Sequence, residues 1–503
     1  MSKGFMYFYV FFAGAAVMSI EMTASRLIAP FFGTSLMVWA NIIGIILLAM
    51  SAGYYIGGRW ADRTPKPAIL FSISLISGLL LTAIPLISQF TFGMLTEGIL
   101  GTPIKTILLA FVGTLLVFAP PIFLLAMVSP FALRLSVTRA EETGKIAGRL
   151  SAFSTLGSLL GTFLPSLVLI PSIGTRNTIY VSALILITIS GLGLKKAGAL
   201  LLTLLPLLLI FFGPRTVKAG SQVVWEKETP YQYVQVVKEE DGSTSLIYNE
   251  GGGVQSIARP NHQLLPQDYY DYYLILPFLR ETGKEYPFQT WILGSAGGTM
   301  LGQFNYWIKP ILPQLSLTGV EIDPDVIPLG QKYFGLNGSE GKVVNADGRS
   351  FLRSQKGKAD LVIVDAYSNQ IYIPFHLSTQ EFFSQVKAKL NPSGMLALNV
   401  NALSSSSPLL QAFENTLCSV FNYTYLMPIP GSLNYVLIGS DKPIILSTPP
   451  NELPEELKPF YSLFQTNIKR ITSTSGQLLT DDRAPVEFLT DQMIWEGIRQ
   501  GGI

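Results

Sequence analysis

Ala68–Ile87, Ile107–Met127, Leu150–Ile170 and Ala199–Phe212 are long apolar runs, and all of them fall before residue 214. A helix needs about 20 mostly apolar residues to cross the hydrocarbon core of a bilayer. The first part of the chain therefore reads as membrane, and the remainder, with short strand-like and helix-like segments, as an aqueous α/β domain. The charges divide the same way: of 68 Asp, Glu, Lys and Arg residues, 18 lie in residues 1–213 and 50 beyond. The averages, 49% hydrophobic with a mean hydropathy of +0.40, describe neither half. A net charge of +2 gives no reason to expect a nucleic acid partner.

Seven spans are expected, at 4–30, 36–58, 67–88, 105–131, 150–171, 177–194 and 197–213, in the inner (plasma) membrane. No cleavable signal is expected, since Phe5–Ile20 runs on through Glu21 and Arg26 into further apolar sequence. Positive charge collects in alternate connections: Lys3, then Arg59, Arg63 and Lys66, then Arg134, Arg139, Lys145 and Arg149, then Lys195 and Lys196. Those connections should be cytoplasmic, and seven crossings then put the aqueous domain on the opposite face. A segment among the last two that does not cross, or an extra element in Gln89–Lys105, reverses that answer. Glu21 and Arg26 are charges the bilayer disfavours, and at about 140° apart around a helix they need other partners or water. The single Cys418 can form no intramolecular disulfide and has no metal-ligand partners, so it is expected to be a buried small hydrophobe.

The expected divisions are a helical membrane domain (1–214), a small β platform (215–289) and a Rossmann-like α/β domain (290–503). In the platform, Gln222–Trp225, Tyr231–Val237 and Ser245–Tyr248 read as strands, with Asp241-Gly242 as a hairpin turn. Thr290–Leu293 then reads as a strand, Gly294-Ser295-Ala296-Gly297-Gly298-Thr299 as a glycine-rich turn, and a helix follows from Met300. Small residues there let the backbone approach a ligand closely, and the next helix presents free amides. A second strand, Leu315–Val320, leads to Glu321-Ile322-Asp323 about 23 residues on, where an acid can accept both ribose hydroxyls. Val343–Ala346 delivers Asp347-Gly348, and Asp360–Val364 delivers Asp365. In an open parallel sheet these strand ends meet around one ligand.

Residues 222–490 resemble the spermidine synthase family of aminopropyltransferases, and the whole chain resembles its membrane-fused bacterial branch. The segments that carry the resemblance are the glycine turn, Val320-Glu321-Ile322-Asp323-Pro324, Asp347-Gly348-Arg349-Ser350-Phe351-Leu352, Val364-Asp365-Ala366-Tyr367 and Thr480-Asp481-Asp482-Arg483-Ala484-Pro485-Val486-Glu487. The resemblance implies that Gly294, Gly297 and Gly298 cradle an S-adenosyl ligand, that Glu321 holds its ribose, Asp347 with Gly348 its adenine edge, and Gln255 the region near sulfur. It implies Asp365 as the base that deprotonates the attacking amine, with Tyr231 and Tyr367 beside it, and Tyr272, Asp268 and Ser368 on the amine path. The implied reaction moves an aminopropyl group from decarboxylated S-adenosylmethionine to a polyamine and releases methylthioadenosine. It needs no metal and no tightly bound cofactor, and the implied assembly is a homo-oligomer, a dimer, in contact with membrane lipid.

Two departures bear on the substrate. Ala296-Gly297 stands where the soluble enzymes carry an aspartate for the aminopropyl ammonium, and Ser368-Asn369 where they carry a second amine ligand. Methyl transfer from intact S-adenosylmethionine, and a nucleoside- or polyamine-binding sensor or transporter without turnover, are the alternatives. Tyr269, Tyr270, Tyr272 and Tyr273 read equally well as an aromatic helix face, His262 and His376 as structural, and Asp481-Asp482 as partners of Arg483 in a loop.

Overall fold

The computed structural model describes residues 3–32, 36–96, 103–213, 222–229, 231–248, 253–260, 264–279, 287–336, 338–367, 372–446, 449–472 and 476–499. The chain divides into two compact units, Met1–Gly220 with Lys227–Pro230, and Ser221–Glu226 with Tyr231–Ile503.

The first unit is helical: α1 (Lys3–Phe32), α2 (Leu36–Arg63), α3 (Pro67–Thr96), α4 (Pro103–Ala126), α5 (Val128–Ser136), α6 (Thr143–Leu164), α7 (Ile170–Leu194), α8 (Ala197–Leu201) and α9 (Leu204–Phe212). Among the described residues, five helical stretches are long and apolar enough to cross a membrane: Gly4–Ala29, Val38–Arg63, Pro67–Phe92, Leu108–Ser136 and Ala140–Leu194. The last runs for 55 residues and is broken at Gly174, whose φ of 79° and ψ of 165° leave the helical region. Expected spans 150–171 and 177–194 flank that break. Ala197–Phe212 is apolar but shorter.

Close backbone approach holds α1 to α6. A Cβ on Gly157 would lie 1.9 Å from the Phe11 carbonyl oxygen, and one on Gly161 would lie 2.1 Å from that of Ala15. Small residues permit this contact where lipid supplies no hydrophobic drive between helices. Two buried hydroxyls bridge helices: Ser19 pairs with Ser182 at 2.9 Å, and Ser77 donates to the Pro121 carbonyl at 2.9 Å. Arg26 donates from Nη1 to the Thr229 carbonyl at 2.8 Å, and Thr175 donates from its amide and hydroxyl to the Glu228 carboxylate.

The second unit opens with a four-stranded sheet in the order β1 (Val223–Glu228), β2 (Tyr233–Lys238), β3 (Thr244–Tyr248), β4 (Gly253–Ala258). Gly242, at φ 82°, turns the chain between β2 and β3. β4 is absent from the sequence expectation because Gly253 and the polar pair Gln255-Ser256 break its alternation.

The larger sheet contains β5 (Phe288–Leu293), β6 (Leu315–Glu321), β7 (Lys342–Asn345), β8 (Ala359–Val364), β9 (Leu390–Asn401), β10 (Tyr423–Pro428), β11 (Asn434–Ser440) and β12 (Lys469–Ile471). Its order is β12-β10-β11-β9-β8-β5-β6-β7. β5 through β9 are mutually parallel, β11 runs against β9 and β10, and β12 runs against β10. Every residue of β8 is buried; Leu361 and Ile363 enter one core, Val362 and Val364 the other. Both faces are therefore covered, as a parallel sheet requires. This is the Rossmann-like arrangement of the methyltransferase type. The chain leaves β5 toward β6 and β7, then returns to lay β8 on the other side, so the topological switch point lies between β5 and β8.

Two expectations change. Asp481 pairs with Arg349 and not with Arg483: both its oxygens accept from the Arg349 guanidinium at 2.7 Å, and Thr379 donates to it at 2.7 Å. The Arg349 side chain is only 8% exposed, and a guanidinium out of water demands a bidentate carboxylate. Cys418 is half-buried, with its thiol 3.8 Å from the Ile471 carbonyl.

Candidate active site

The switch point is tight because Gly294 has no side chain. Its φ is 91°, and a Cβ would lie 2.3 Å from the Asp365 carbonyl oxygen. Main-chain bonds lock the ends together: Asp365 N donates to Leu293 O at 2.9 Å, and the Gly294 and Ser295 amides both donate to Val320 O. The rest of the turn is committed internally. Ala296 N donates to Glu321 Oε2 at 2.8 Å and Gly297 N to Ser256 Oγ at 2.9 Å, while Gly298, at φ 87°, starts the short helix Thr299–Gln303.

A cavity of about 180 Å³ opens over these strand ends. Asp365, Gly294, Glu321 and Asp347 follow one another around it in the strand order β8, β5, β6, β7, and Gly348 adjoins Asp347. Tyr231, Gln255 and Tyr367 complete the expected residues brought together there. Gln232, Tyr248 and His376 line it as well; the sequence offers no signal for the first two, and His376 had read as structural. His262 and Ser368 lie outside the described residues. Gly297 and Gly298 shape the turn but do not line the cavity.

Tyr272 and Asp268 belong to a second cavity of about 760 Å³, with Glu456 and Phe460 among its other walls. Tyr272 packs edge-on against Phe460, ring centres 5.2 Å apart. The phenol that reaches Asp365 is that of Tyr269, which donates to Oδ2 at 2.8 Å and also borders the larger cavity. In the run Tyr269-Tyr270-Asp271-Tyr272-Tyr273, residue type alone cannot choose among four tyrosines. Asn399 on β9 was also missed; its Nδ2 is 3.3 Å from Asp365 Oδ1.

The acids differ in their surroundings. Burial pushes the Asp365 carboxyl up to about 7, against the opposing pull of the Tyr269 and Asn399 hydrogen bonds. Burial likewise raises Glu321 to about 7, although the Asp323 and Ala296 amides favour its ionised form. At Asp347 burial is outweighed by the Ser350 amide and the His376 ring, which hold the carboxyl below its ordinary value. Tyr269 and Tyr367 are pushed well above the usual phenol value by burial and by the charge of Asp365. They remain neutral donors, and the Tyr367 hydroxyl donates to Asn399 O at 2.9 Å. The arrangement offers two carboxyls that can take a proton near neutrality, Asp365 at the switch point and Glu321 on the neighbouring strand, with a backbone cradle and a third acid, Asp347, held ionised beside them.

Sequence comparison matches residues 314–440 to the Spermine/spermidine synthase domain. A probable polyamine aminopropyl transferase of Bifidobacterium longum is 31% identical over 290 residues, covering 54% of this chain and 62% of that protein. The chain thus spans less than two thirds of that relative's length. The polyamine aminopropyltransferase of Vibrio vulnificus is 28% identical over 294 residues, covering 54% of this chain and 92% of its own. Among solved structures, a probable spermidine synthase from Corynebacterium glutamicum aligns with 17% identity and a TM-score of 0.41, over 52% of this chain and 97% of that one.

Proposed function

From the match of residues 314–440 to the Spermine/spermidine synthase domain, we propose that this chain is a membrane-bound polyamine aminopropyltransferase. The observation that carries the reading is Asp365, a buried carboxyl raised to about 7 at the switch point, facing the same cavity as Glu321 and Asp347. Decarboxylated S-adenosylmethionine lies along the strand ends, adenine toward Asp347, ribose hydroxyls on Glu321 and the sulfonium near Asp365. The acceptor arrives from the larger cavity, where Asp268 and Glu456 attract a cation and the Tyr272 and Phe460 rings pack on its methylenes.

An alkylammonium has no lone pair, so Asp365 first takes its proton. The freed nitrogen attacks the methylene beside the sulfonium, the carbon–sulfur bond breaks with its electrons going to sulfur, and methylthioadenosine leaves. The Tyr269 hydroxyl and the Asn399 amide hold the carboxylate in line. Alignment and a preorganised field supply several kcal/mol of barrier lowering. Purified protein given decarboxylated S-adenosylmethionine and a panel of diamines should yield methylthioadenosine and the aminopropylated amine by mass spectrometry. Ala296-Gly297, with no carboxylate for the donor's ammonium, favours the alternative of methyl transfer from intact S-adenosylmethionine. S-adenosylhomocysteine as the product would replace the first reading by the second.

We place the helical unit in the inner (plasma) membrane with the aqueous domain cytoplasmic, where the donor is made. Ala197–Phe212 is broken into α8 and α9 and falls short of the roughly 20 residues a crossing needs. Without it six crossings remain, and both ends share a side. In a Cys418→Ser background, a cysteine at exposed Glu240 should react with a membrane-impermeant thiol reagent only after cells are permeabilised. Labelling in intact cells puts the domain outside.

A further inference from the structure

At the β7 end of the cavity, farthest along the sheet from Asp365, the Asp347 carboxylate is held from two sides. Oδ1 accepts the Ser350 amide at 2.8 Å as the N-cap of the helix Gly348–Ser354, and Oδ2 lies 2.9 Å from His376 Nε2. His376 is itself fixed. Its carbonyl accepts from Arg349 Nη1 at 3.1 Å, Arg349 is clamped by Asp481, and the imidazole stands edge-on to Phe375, ring centres 5.8 Å apart. A bidentate ion pair with a buried guanidinium thus sets the position of one imidazole, which sets the orientation of one carboxylate in the cavity wall. Neither Arg349 nor Asp481 lines the cavity.

We propose that His376 is a positioning residue that makes the cavity selective for a 6-aminopurine nucleoside, by donating from Nε2 to Asp347 Oδ2 and so presenting the carboxylate as a fixed acceptor. The inference rests on the adenosyl reading above and adds the means by which the base is discriminated. A carboxylate has about four lone-pair directions. Ser350 and His376 use two, and those left can accept only from a base that donates. The exocyclic amine of adenine donates. The 6-oxo group of hypoxanthine brings an acceptor against an acceptor, leaving both unpaired, and a site built around one hydrogen-bonding partner rejects the analogue lacking it. Without the imidazole, the carboxylate keeps the Ser350 cap but loses the contact that fixes Oδ2, and can turn toward solvent.

The test is calorimetric titration of the full-length protein in detergent with 5′-methylthioadenosine and 5′-methylthioinosine, for the native chain, His376→Ala and His376→Gln. The native protein should prefer the adenosine form by more than about tenfold. His376→Ala should weaken the adenosine form by about tenfold and shrink the preference to within about threefold. His376→Gln, which still offers an N–H donor, should restore most of both. If His376→Ala weakens the two nucleosides equally, or if His376→Gln fails to restore the preference, the residue is merely structural and the assignment is overturned. A native protein that binds neither nucleoside overturns the adenosyl reading itself, a result visible before any variant is made.

Discussion

On the proposed function, Asp365→Asn should lower aminopropyl turnover by about 10²–10⁴-fold while leaving nucleoside affinity close to native, the range expected when a positioned general base is removed. The amide fits the same space, and the Tyr269 hydroxyl can still donate to its oxygen. Asn399 can turn its amide to accept from the new N–H, because its own Oδ1 is buried without a hydrogen-bond partner. What is lost is the capacity to hold a proton. Native turnover should rise with pH through about 7, as Asp365 ionises, and then level. Stability should move the other way. The folded carboxyl titrates near 7 and the unfolded one near 3.8, so between those values the native state binds more protons, and its stability falls as pH rises. Asp365→Asn should therefore be more stable than native at pH 8 by on the order of 1–3 kcal/mol, the gap closing below about pH 4. Single-turnover formation of methylthioadenosine and melting curves at both pH values check this. A variant that keeps more than about a tenth of native turnover removes Asp365 from the role of base.

Gly294→Ala should cost about 2–6 kcal/mol, combining a positive φ unsuited to a side chain with overpacking against backbone. The methyl group would meet the Asp365 carbonyl oxygen at 2.3 Å, its carbon at 2.7 Å and Ala366 Cα at 2.8 Å, none of which is a flexible side-chain end. Relief requires β5 and β8 to part where their main chains cross-bond, which displaces the Asp365 carboxyl. Turnover should fall at least about a hundredfold even where folded protein is recovered, since small misplacements of reacting groups carry penalties of that size. Gly348→Ala is the contrast in stability: a Cβ there would meet the Leu293 side chain at 3.4–3.8 Å, ordinary contact, and a near-native melting temperature is expected. Equal tolerance at both positions argues against a rigid switch point.

Four of the five parallel strands, β5 to β8, were legible because each ends a short apolar run shortly before an acid or a glycine, as Leu293 before Gly294, Val320 before Glu321 and Val364 before Asp365, while β9 went unread. Burial on both faces forces such runs, and the polar residue after each marks the emergence of the chain at the sheet edge. Interactions that bridge distant parts of the chain were not legible. Tyr269 lies 96 positions from Asp365, Arg349 lies 132 from Asp481, and no local pattern selects those partners among neighbours of the same type. In the helical unit, length and hydropathy separated spans 150–171 and 177–194, and the helix does break between them, but they did not single out Gly174 as the residue that breaks it. A single glycine in an apolar run looks the same whether it bends a helix or packs within one.

Glu321 and Asp365 stand at or just past the last residues of their strands, anchored by main-chain bonds within the sheet. The turns that follow them, the stretch holding His376 excepted, can consequently be exchanged, lengthened or shortened over generations without moving these two carboxyls. On the proposed reaction, a lineage on this framework can drift from one acceptor to another by rewriting surface turns while the proton-transfer step stays intact, and a designer seeking a new acceptor should vary those turns and leave the strand ends untouched.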